Sequence, residues 1–559
     1  MEKIWLPKYP REVPADVDVS AYPSIGELFQ SSAAKFGPAV AFVNMGTAIS
    51  YSELERLTRD FAAYLQGVLK LPQGARVALM MPNVLQYPIA LFGALRAGCT
   101  VVNCNPLYTP RELEHQLVDS DARAIVVVEN FASVVEQVIA ATMVKHVVVT
   151  GLGDMLGFPK SLVVNCVVRY VKRLAPPWRL SGAVSFAVAL RLGASARFER
   201  VDVGPDNLAF LQYTGGTTGT PKGAMLSHGN IVANVQQAYA WLSPELEEAR
   251  ETIVTALPLY HIFALTMNCL LFLKLGATNV LITDPRDIPG MVKEMARRPF
   301  TVITGVNTLF NALLNNPDFA KLDFAPLRLS AGGGMALQKA VADKWKRVTG
   351  NAVIECYGLT EASPAVAANP VGISDYNGAV GLPIPSTEIA IRDNKGDDLS
   401  VGALGELCVR GPQVMKGYWK QPAETAEVMT SDGFLRTGDL ATIDEAGFVR
   451  IVDRKKDMII VSGFNVYPNE LEDVVAMCPG VLEVGAFGVP DSASGEAVMI
   501  AVVRDEPALT AEDVIAHCRK YLTGYKIPRY VEFRDSLPKS TIGKILRRAL
   551  RDEAANAAA

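Results

Sequence analysis

Apolar residues recur at helical spacing through residues 51–70, then give way to a short unbroken apolar run at 75–81. The same exchange repeats, with residues 88–97 reading as a helix and 99–105 as an extended segment. Residues 124–130, 145–150 and 300–306 add further short β-branched runs. Apolar strands that lack polar alternation are covered on both faces, so this rhythm predicts an α/β fold of mostly parallel, buried strands. Near Arg450 the pattern shifts. Residues 434–464 predict hairpin strands with glycine turns and a charged connection. A shorter α+β pattern follows: helices at 468–477 and 511–521, strands around 484–490 and 498–504, and a basic polar tail. The expected architecture is a large multi-sheet N-terminal domain with parallel-sheet subdomains, residues 1–455, and a small α+β C-terminal domain, residues 456–559.

A chain of 559 residues exceeds one comfortable core, in keeping with two domains. Half of it is hydrophobic and a fifth charged, which leaves room for a buried apolar pocket. Lys plus Arg number 54 against 58 Asp plus Glu, so a general nucleic-acid binder, which needs a basic surplus, is not expected. The eight cysteines include no C-x-x-C pair and read as single buried thiols, not as zinc ligands or disulfides. Charges and prolines at the N-terminus do not suit a signal peptide, and no apolar run reaches the roughly 18 residues of a spanning helix. We therefore expect a cytoplasmic protein. Residues 155–180 mix apolar side chains with Lys160, Arg169, Lys172, Arg173 and Arg179. They read either as a helix resting on the inner face of the cytoplasmic membrane or as an ordinary surface helix. Gly151, Gly153 and Gly157 follow a strand but miss the dinucleotide-binding spacing, and Phe158-Pro159 stand where its helix would run, so a loop is expected there.

The densest chemical signal is YTGGTTGTPKG, residues 213–223. Glycine backbones can turn their N–H groups toward a phosphate, threonine hydroxyls add donors, and Lys222 adds charge. The loop lacks the G-x-x-x-x-G-K-[ST] order. Residues 357–364, YGLTEASP, supply an aromatic to stack on a base (Tyr357), a hydroxyl for an α-phosphate (Thr360) and a carboxylate suited to Mg2+ (Glu361). Residues 257–265 and 304–316 carry apolar side chains, among them Phe263, Leu265, Val306 and Leu309, that fit an acyl tunnel or plain core packing equally well.

Residues 214–223 match the nucleotide loop [ST]-[SG]-G-[ST]-T-G-x-P-K-G of the adenylate-forming superfamily of acyl-CoA synthetases, adenylation domains and luciferases, and the Y-G-x-T-E motif follows in order. The chain resembles that superfamily from about residue 22 to 551, and bacterial long-chain-fatty-acid–CoA ligases most closely, through residues 434–475 and 522–548. The resemblance implies ATP contacts from Thr214, Gly215, Gly216, Thr217, Thr218, Gly219 and Lys222. It places adenine against Gly333 and Gly334, counts Gly358 with Tyr357 among the nucleotide contacts, and puts ribose hydroxyls on Asp439 and Arg454. Glu361, with Thr217 as a second ligand, would hold Mg2+. His261 matches the position beside the acyl group. The tryptophan gate that some long-chain synthetases have shortly after this histidine is absent, Phe263 and Leu265 standing in that stretch. Lys544, in PKSTIGKILRR, matches the lysine that the C-terminal domain brings to the acyl carboxylate and nucleotide. Lys456 falls at the hinge of a mobile domain, and Gly463 near the coenzyme A channel. The implied activity is ATP-dependent activation of a fatty acid to an acyl-adenylate, then transfer to coenzyme A, by a homodimer. No G-x-S-x-G or catalytic cysteine motif is present, as a thiolate attack on an adenylate requires no protein nucleophile. An acyl-AMP ligase that loads a carrier protein, a luciferase-like oxidase and a lipid-binding module are the alternatives.

Overall fold

The computed structural model describes residues 2–214, 221–492 and 494–558. Two large sheets form its base. One has seven strands in the spatial order Val184–Ser185, His146–Thr150, Ala124–Val128, Arg76–Met80, Thr100–Asn103, Leu208–Thr214 and Lys222–Ser227. All its pairings are parallel except the last, where Leu208–Thr214 turns back into Lys222–Ser227. The other has nine strands, parallel through its middle from Val40–Asn44 to Val353–Gly358 and antiparallel at both edges. The short apolar runs read from the chain are these inner strands. Arg76–Met80, Thr100–Asn103 and Ala124–Val128 are buried at almost every position, because helices cover both faces of a parallel sheet.

A four-stranded antiparallel sheet follows, made of Glu388–Arg392, Gly405–Arg410, Leu435–Ile443 and Val449–Arg454. The next strand, Ile459–Val461, belongs to a separate C-terminal sheet with Phe464–Val466, Gly495–Arg504, Val481–Asp491 and Tyr530–Phe533. That sheet has its own core around Leu471, Val475, Ile500 and Val514.

Two sequence expectations need correction. The basic tail is ordered: Tyr530–Phe533 pairs in parallel with Gly495–Arg504, and Arg547–Ala558 is a helix. Among the described side chains of that helix Leu550 is the one fully buried apolar anchor, packed with Phe487 and Leu537, too sparse a pattern to read as a helical stripe. The cysteines are all unpaired, but Cys166 is exposed and Cys356 only half-buried. The glycine stretch 151–157 is a loop, as expected, and the helix after it starts at Lys160.

Candidate active site

Three sets of loops meet around one cavity of about 2430 Å3. The first is the hairpin of the seven-stranded sheet. Thr214 and Lys222 are its last cross-strand pair, and both line the cavity. Gly215, Gly216, Thr217, Thr218 and Gly219 lie outside the described residues. The hairpin is nonetheless fixed at its base. Trp419 N donates to the Gly223 carbonyl at 2.8 Å, and the Lys222 ammonium pairs with the Glu424 carboxylate while lying 5.3 Å from the Tyr418 ring.

The second set comes from the end of Val353–Gly358. Gly358 must be glycine, because a Cβ there would collide with the Pro364 carbonyl. The chain then turns through Thr360–Ala362, which puts Thr360 and Glu361 on the cavity wall. Glu361 is held from both ends: its carbonyl accepts from Met415 N at 2.7 Å, and its Oε1 from the Tyr418 hydroxyl at 2.8 Å. Gly333 and Gly334 form the neighbouring wall, and a Cβ on Gly333 would press on the Cys356 carbonyl at 3.1 Å.

The four-stranded sheet supplies the polar floor. Asp439 and Arg454 face each other as an antiparallel pair, and Arg454 Nε lies 2.9 Å from Asp439 Oδ1. The Tyr357 hydroxyl donates to Asp439 Oδ2 at 2.5 Å. Burial, and then the Asp439 charge, push the Tyr357 phenol far above its ordinary value, so it stays a donor. Asp439 is itself buried and is not one of the cavity-lining residues, although its neighbour Gly438 and both its partners are; each carboxylate oxygen has two acceptor positions, so it keeps capacity for a further hydroxyl pair.

The third set comes from the C-terminal part. The turn 540–544 is closed by Ser540 N donating to the Lys544 carbonyl at 2.7 Å, and Lys544 N donating to Ser540 Oγ at 3.1 Å. Thr308 Oγ1 donates to the Gly543 carbonyl at 2.9 Å, and Gly543 sits at φ +87°, so only glycine is relaxed there. This turn carries Lys544 into the cavity near Arg454 and Asp439. Burial, reinforced by the Arg454 charge, lowers its pKa to about 8.

Phe263, Val306 and Leu309 line the apolar side, and His261 lines the same cavity. Burial lowers the His261 pKa to about 4, so the imidazole is neutral at physiological pH, and its Nδ1 accepts from Phe263 N at 3.3 Å. Leu265 is not part of this wall. It is fully buried in the hydrophobic core, while Phe263 and Met267 face the cavity. Residues four apart share a helical face, and the residue midway points the other way. Lys456 lies at the cavity edge, two residues beyond the last strand of the four-stranded sheet. Gly463 is exposed in the turn between Ile459–Val461 and Phe464–Val466 and does not line the cavity in this arrangement.

Tyr418 and Glu424 escaped the sequence reading. Their partners lie 57 and 202 residues away, and the one local sign is the aromatic pair Tyr418–Trp419 after Gly417, which adopts φ +134°. Among the described residues no group of three or more His, Cys, Asp or Glu is placed to hold a metal. Glu361 alone therefore fits a cation that takes its remaining oxygens from phosphate and water, which is the habit of Mg2+.

Residues 29–419 match the family model described as AMP-binding enzyme, and residues 470–544 match the AMP-binding enzyme C-terminal domain. A Yersinia pestis protein named long-chain-fatty-acid–CoA ligase is 59% identical over 553 residues, 99% of this chain and 98% of its own. A Bacillus subtilis protein of the same name is 35% identical over 557 residues, 99% and 98% of the two chains. The crystal structure of ATP-bound MatB from Rhodopseudomonas palustris superimposes with a TM-score of 0.80 at 30% identity, over 94% of this chain and 98% of that one. A likeness that spans both parts of the chain, together with a cavity on which a tyrosine–carboxylate–arginine floor and a C-terminal lysine converge, has one conclusion: the chain belongs to the AMP-binding, adenylate-forming enzyme family.

Proposed function

We propose that the chain is a long-chain-fatty-acid–CoA ligase that forms an acyl-adenylate from ATP and then an acyl-CoA. The carrying observation is the convergence of Lys544, Arg454, Tyr357 and Glu361 on one cavity with apolar residues on its other wall, Asp439 being bonded to both Tyr357 and Arg454. The near full-length likeness to relatives of that name supports the substrate class.

A carboxylate is a poor acyl donor because its leaving group would be oxide. Its attack on the ATP α-phosphorus expels pyrophosphate and leaves a mixed anhydride, with AMP as a good leaving group. Lys544 as ammonium would sit between the acyl carboxylate and the α-phosphate and offset the charge that develops there. Asp439 would accept from both ribose hydroxyls, with Tyr357 and Arg454 holding it in place. Thr360, Thr214, Lys222 and the glycine–threonine loop 215–219 would donate to the phosphates. Lys222 must then leave or share Glu424. Glu361 would hold Mg2+, whose chemistry there is neutralisation of phosphate charge. Neutral His261 places no charge beside the acyl chain.

The second half is attack of the coenzyme A thiolate on the adenylate carbonyl, releasing AMP. For this step we propose that residues 456–559 turn about Lys456 as a lid, withdraw Lys544 and bring the Gly463 turn to the cavity. A homodimer is part of the proposal on family resemblance. The test is pyrophosphate release from ATP across acids of increasing length, with and without coenzyme A and with EDTA. Release that needs a long-chain acid and divalent metal, with thioester formed only when coenzyme A is present, is expected. Release without any acid, or no coenzyme A thioester, contradicts the reading.

A further inference from the structure

Lys544 stands between two contacts with the large N-terminal part. On one side Thr308 Oγ1 donates to the Gly543 carbonyl at 2.9 Å. On the other, three residues on, Arg547 opens the helix Arg547–Ala558 and sends its guanidinium to Asp453 Oδ1 at 2.9 Å. Asp453 is on Val449–Arg454, the strand that also carries Arg454 to the polar floor, and its side chain is wholly buried.

The guanidinium is engaged at all three nitrogens. Its Nε donates to Glu472 Oε1 at 2.8 Å, Nη1 donates to Asp453, and Nη2 donates to Glu472 Oε2 at 2.6 Å and to Asn469 Oδ1. Glu472 is itself fixed, because its Oε1 accepts from Ala486 N at 2.9 Å. Asp453 is engaged at both oxygens. Its Oδ1 also accepts from Arg454 N at 2.7 Å, and its Oδ2 from Asn469 N at 2.8 Å. Asn469 Nδ2 in turn donates to the Val452 carbonyl at 3.0 Å. A planar fork serves two carboxylates at once in this way, and the point charge of a lysine does not.

The members of this cluster lie on both sides of Lys456. Val452 and Asp453 precede it, whereas Asn469, Glu472 and Arg547 follow it. A turn of residues 456–559 about Lys456 therefore keeps the Arg547–Glu472 pair and breaks the bonds that reach Asp453 from Arg547 and Asn469. It strips a wholly buried carboxylate of its cation, and a buried charge without a partner is strongly disfavoured. The cluster thus favours the arrangement in which Lys544 is in the cavity. A short span of chain joins Arg547 to Lys544, so the same contact also sets where the Lys544 ammonium stands.

We propose that Arg547 is a positioning residue for adenylation: through Asp453 it holds Lys544 in the cavity, and its release from Asp453 frees the lid for thioester formation. The proposal rests on the ligase reading and its lid motion. The test measures the two half-reactions separately in the full-length chain. One is single-turnover acyl-adenylate formation from ATP and a long-chain acid, the other thioester formation from supplied acyl-adenylate and coenzyme A. Asp453→Asn removes the charge that Arg547 meets and keeps the side-chain shape; Arg547→Gln removes the cation. Each should lose about 10- to 100-fold in the maximal rate of the first half-reaction, with little change in the half-saturating ATP concentration. Each should form thioester as fast as wild type or faster. The double variant should lose no more than the worse single one, as partners in one contact do. Both single variants should be cleaved faster than wild type at the 455–458 connection. Should Arg547→Gln not fold, as its melting curve would show, Asp453→Asn and Arg547→Lys carry the comparison. Unchanged adenylation, equal loss in both half-reactions, or losses that multiply in the double variant overturn the proposal. Absence of coenzyme A thioester from wild type counts instead against the ligase reading, and cleavage of Asp453→Asn no faster than wild type then overturns the role of Arg547 by itself.

Discussion

Lys544 combines burial with a position beside Arg454, which together outweigh the nearby Asp439 and Asp457 charges and lower its pKa to about 8. The protonated form is the useful one, because only the ammonium attracts two anions. As pH rises through about 8 the free enzyme loses that charge, so kcat/KM for adenylation should fall with a limb near pH 8. Bound triphosphate brings negative charge and favours the ammonium, so the matching limb in kcat should move to higher pH. Lys544→Arg keeps its charge and should show no limb, whereas Lys544→Ala should lose about 100- to 1000-fold in pyrophosphate release while still converting supplied acyl-adenylate to thioester. A pH profile of Lys544→Arg that copies wild type would assign the limb elsewhere. Tyr357 makes a second, smaller case. Its hydroxyl is one of two groups that hold the buried Asp439 carboxylate. Tyr357→Phe removes a bond to a charged acceptor and should raise KM for ATP by about 10-fold, with little change in KM for the acid. Tyr357 was legible as an aromatic in a short motif with Thr360 and Glu361, whereas Lys544 was legible only through the family resemblance of PKSTIGKILRR, since a plain basic helix would look the same. Tyr418 and Glu424 were not, since an isolated tyrosine in a loop or a glutamate in the first turn of a short helix gives no sign of a partner brought near only by folding.

At the scale of elements, the strands were legible and the helical phase around the acyl pocket was not. Runs such as residues 124–128 bury every side chain, so composition alone marks them as inner strands. In the stretch after His261 nearly every residue is apolar, and no periodicity distinguishes the cavity side from the core side. The structure separates them: Phe263 faces the cavity, where its ring lies 3.3 Å from where a Cβ on Gly333 would stand, and Leu265 is in the core. Two alanine substitutions should therefore behave oppositely. Leu265→Ala should cost about 2–5 kcal/mol in urea unfolding and leave the chain-length profile of kcat/KM as in wild type. Phe263→Ala should cost less stability and shift that profile toward bulkier acids. A profile altered by Leu265→Ala without a loss of stability would place Leu265 at the tunnel after all.

In the whole molecule, the C-terminal part meets the rest through neutral hydrogen bonds, the buried Arg547–Asp453 ion pair at 2.9 Å and a titratable cluster. Thr308 reaches the Gly543 carbonyl, and Asn311 Nδ2 donates to the Leu482 carbonyl at 2.9 Å. Neither contact involves a charge, so both can be exchanged for water at small cost. Away from the cavity, Glu355 on Val353–Gly358 lies near Asp473 on the helix Pro468–Ala476, with Tyr376, Arg450 and Asp343 also facing the cluster. Burial, and then the Asp473 charge, raise the Glu355 pKa to about 8. Burial, and then Glu472, raise that of Asp473 to about 7. Both exceed their unfolded values, so the protonated forms favour the docked structure. That contribution is complete below about pH 4 and is lost as pH rises through about 7 to 8. Glu355→Gln keeps the shape of the neutral acid and removes one of the two titrations. Docking of the lid, followed by the rate of proteolysis at the 455–458 connection, should weaken in wild type between pH 6 and roughly pH 8.5 and weaken less in Glu355→Gln, where Asp473 alone still titrates. Below about pH 4 the two proteins should be cleaved at about the same rate, because Glu355 is then neutral whether or not the lid is docked. A wild-type cleavage rate that does not change across this range, or a Glu355→Gln variant that follows it, would show that the pair does not govern how firmly the lid is held.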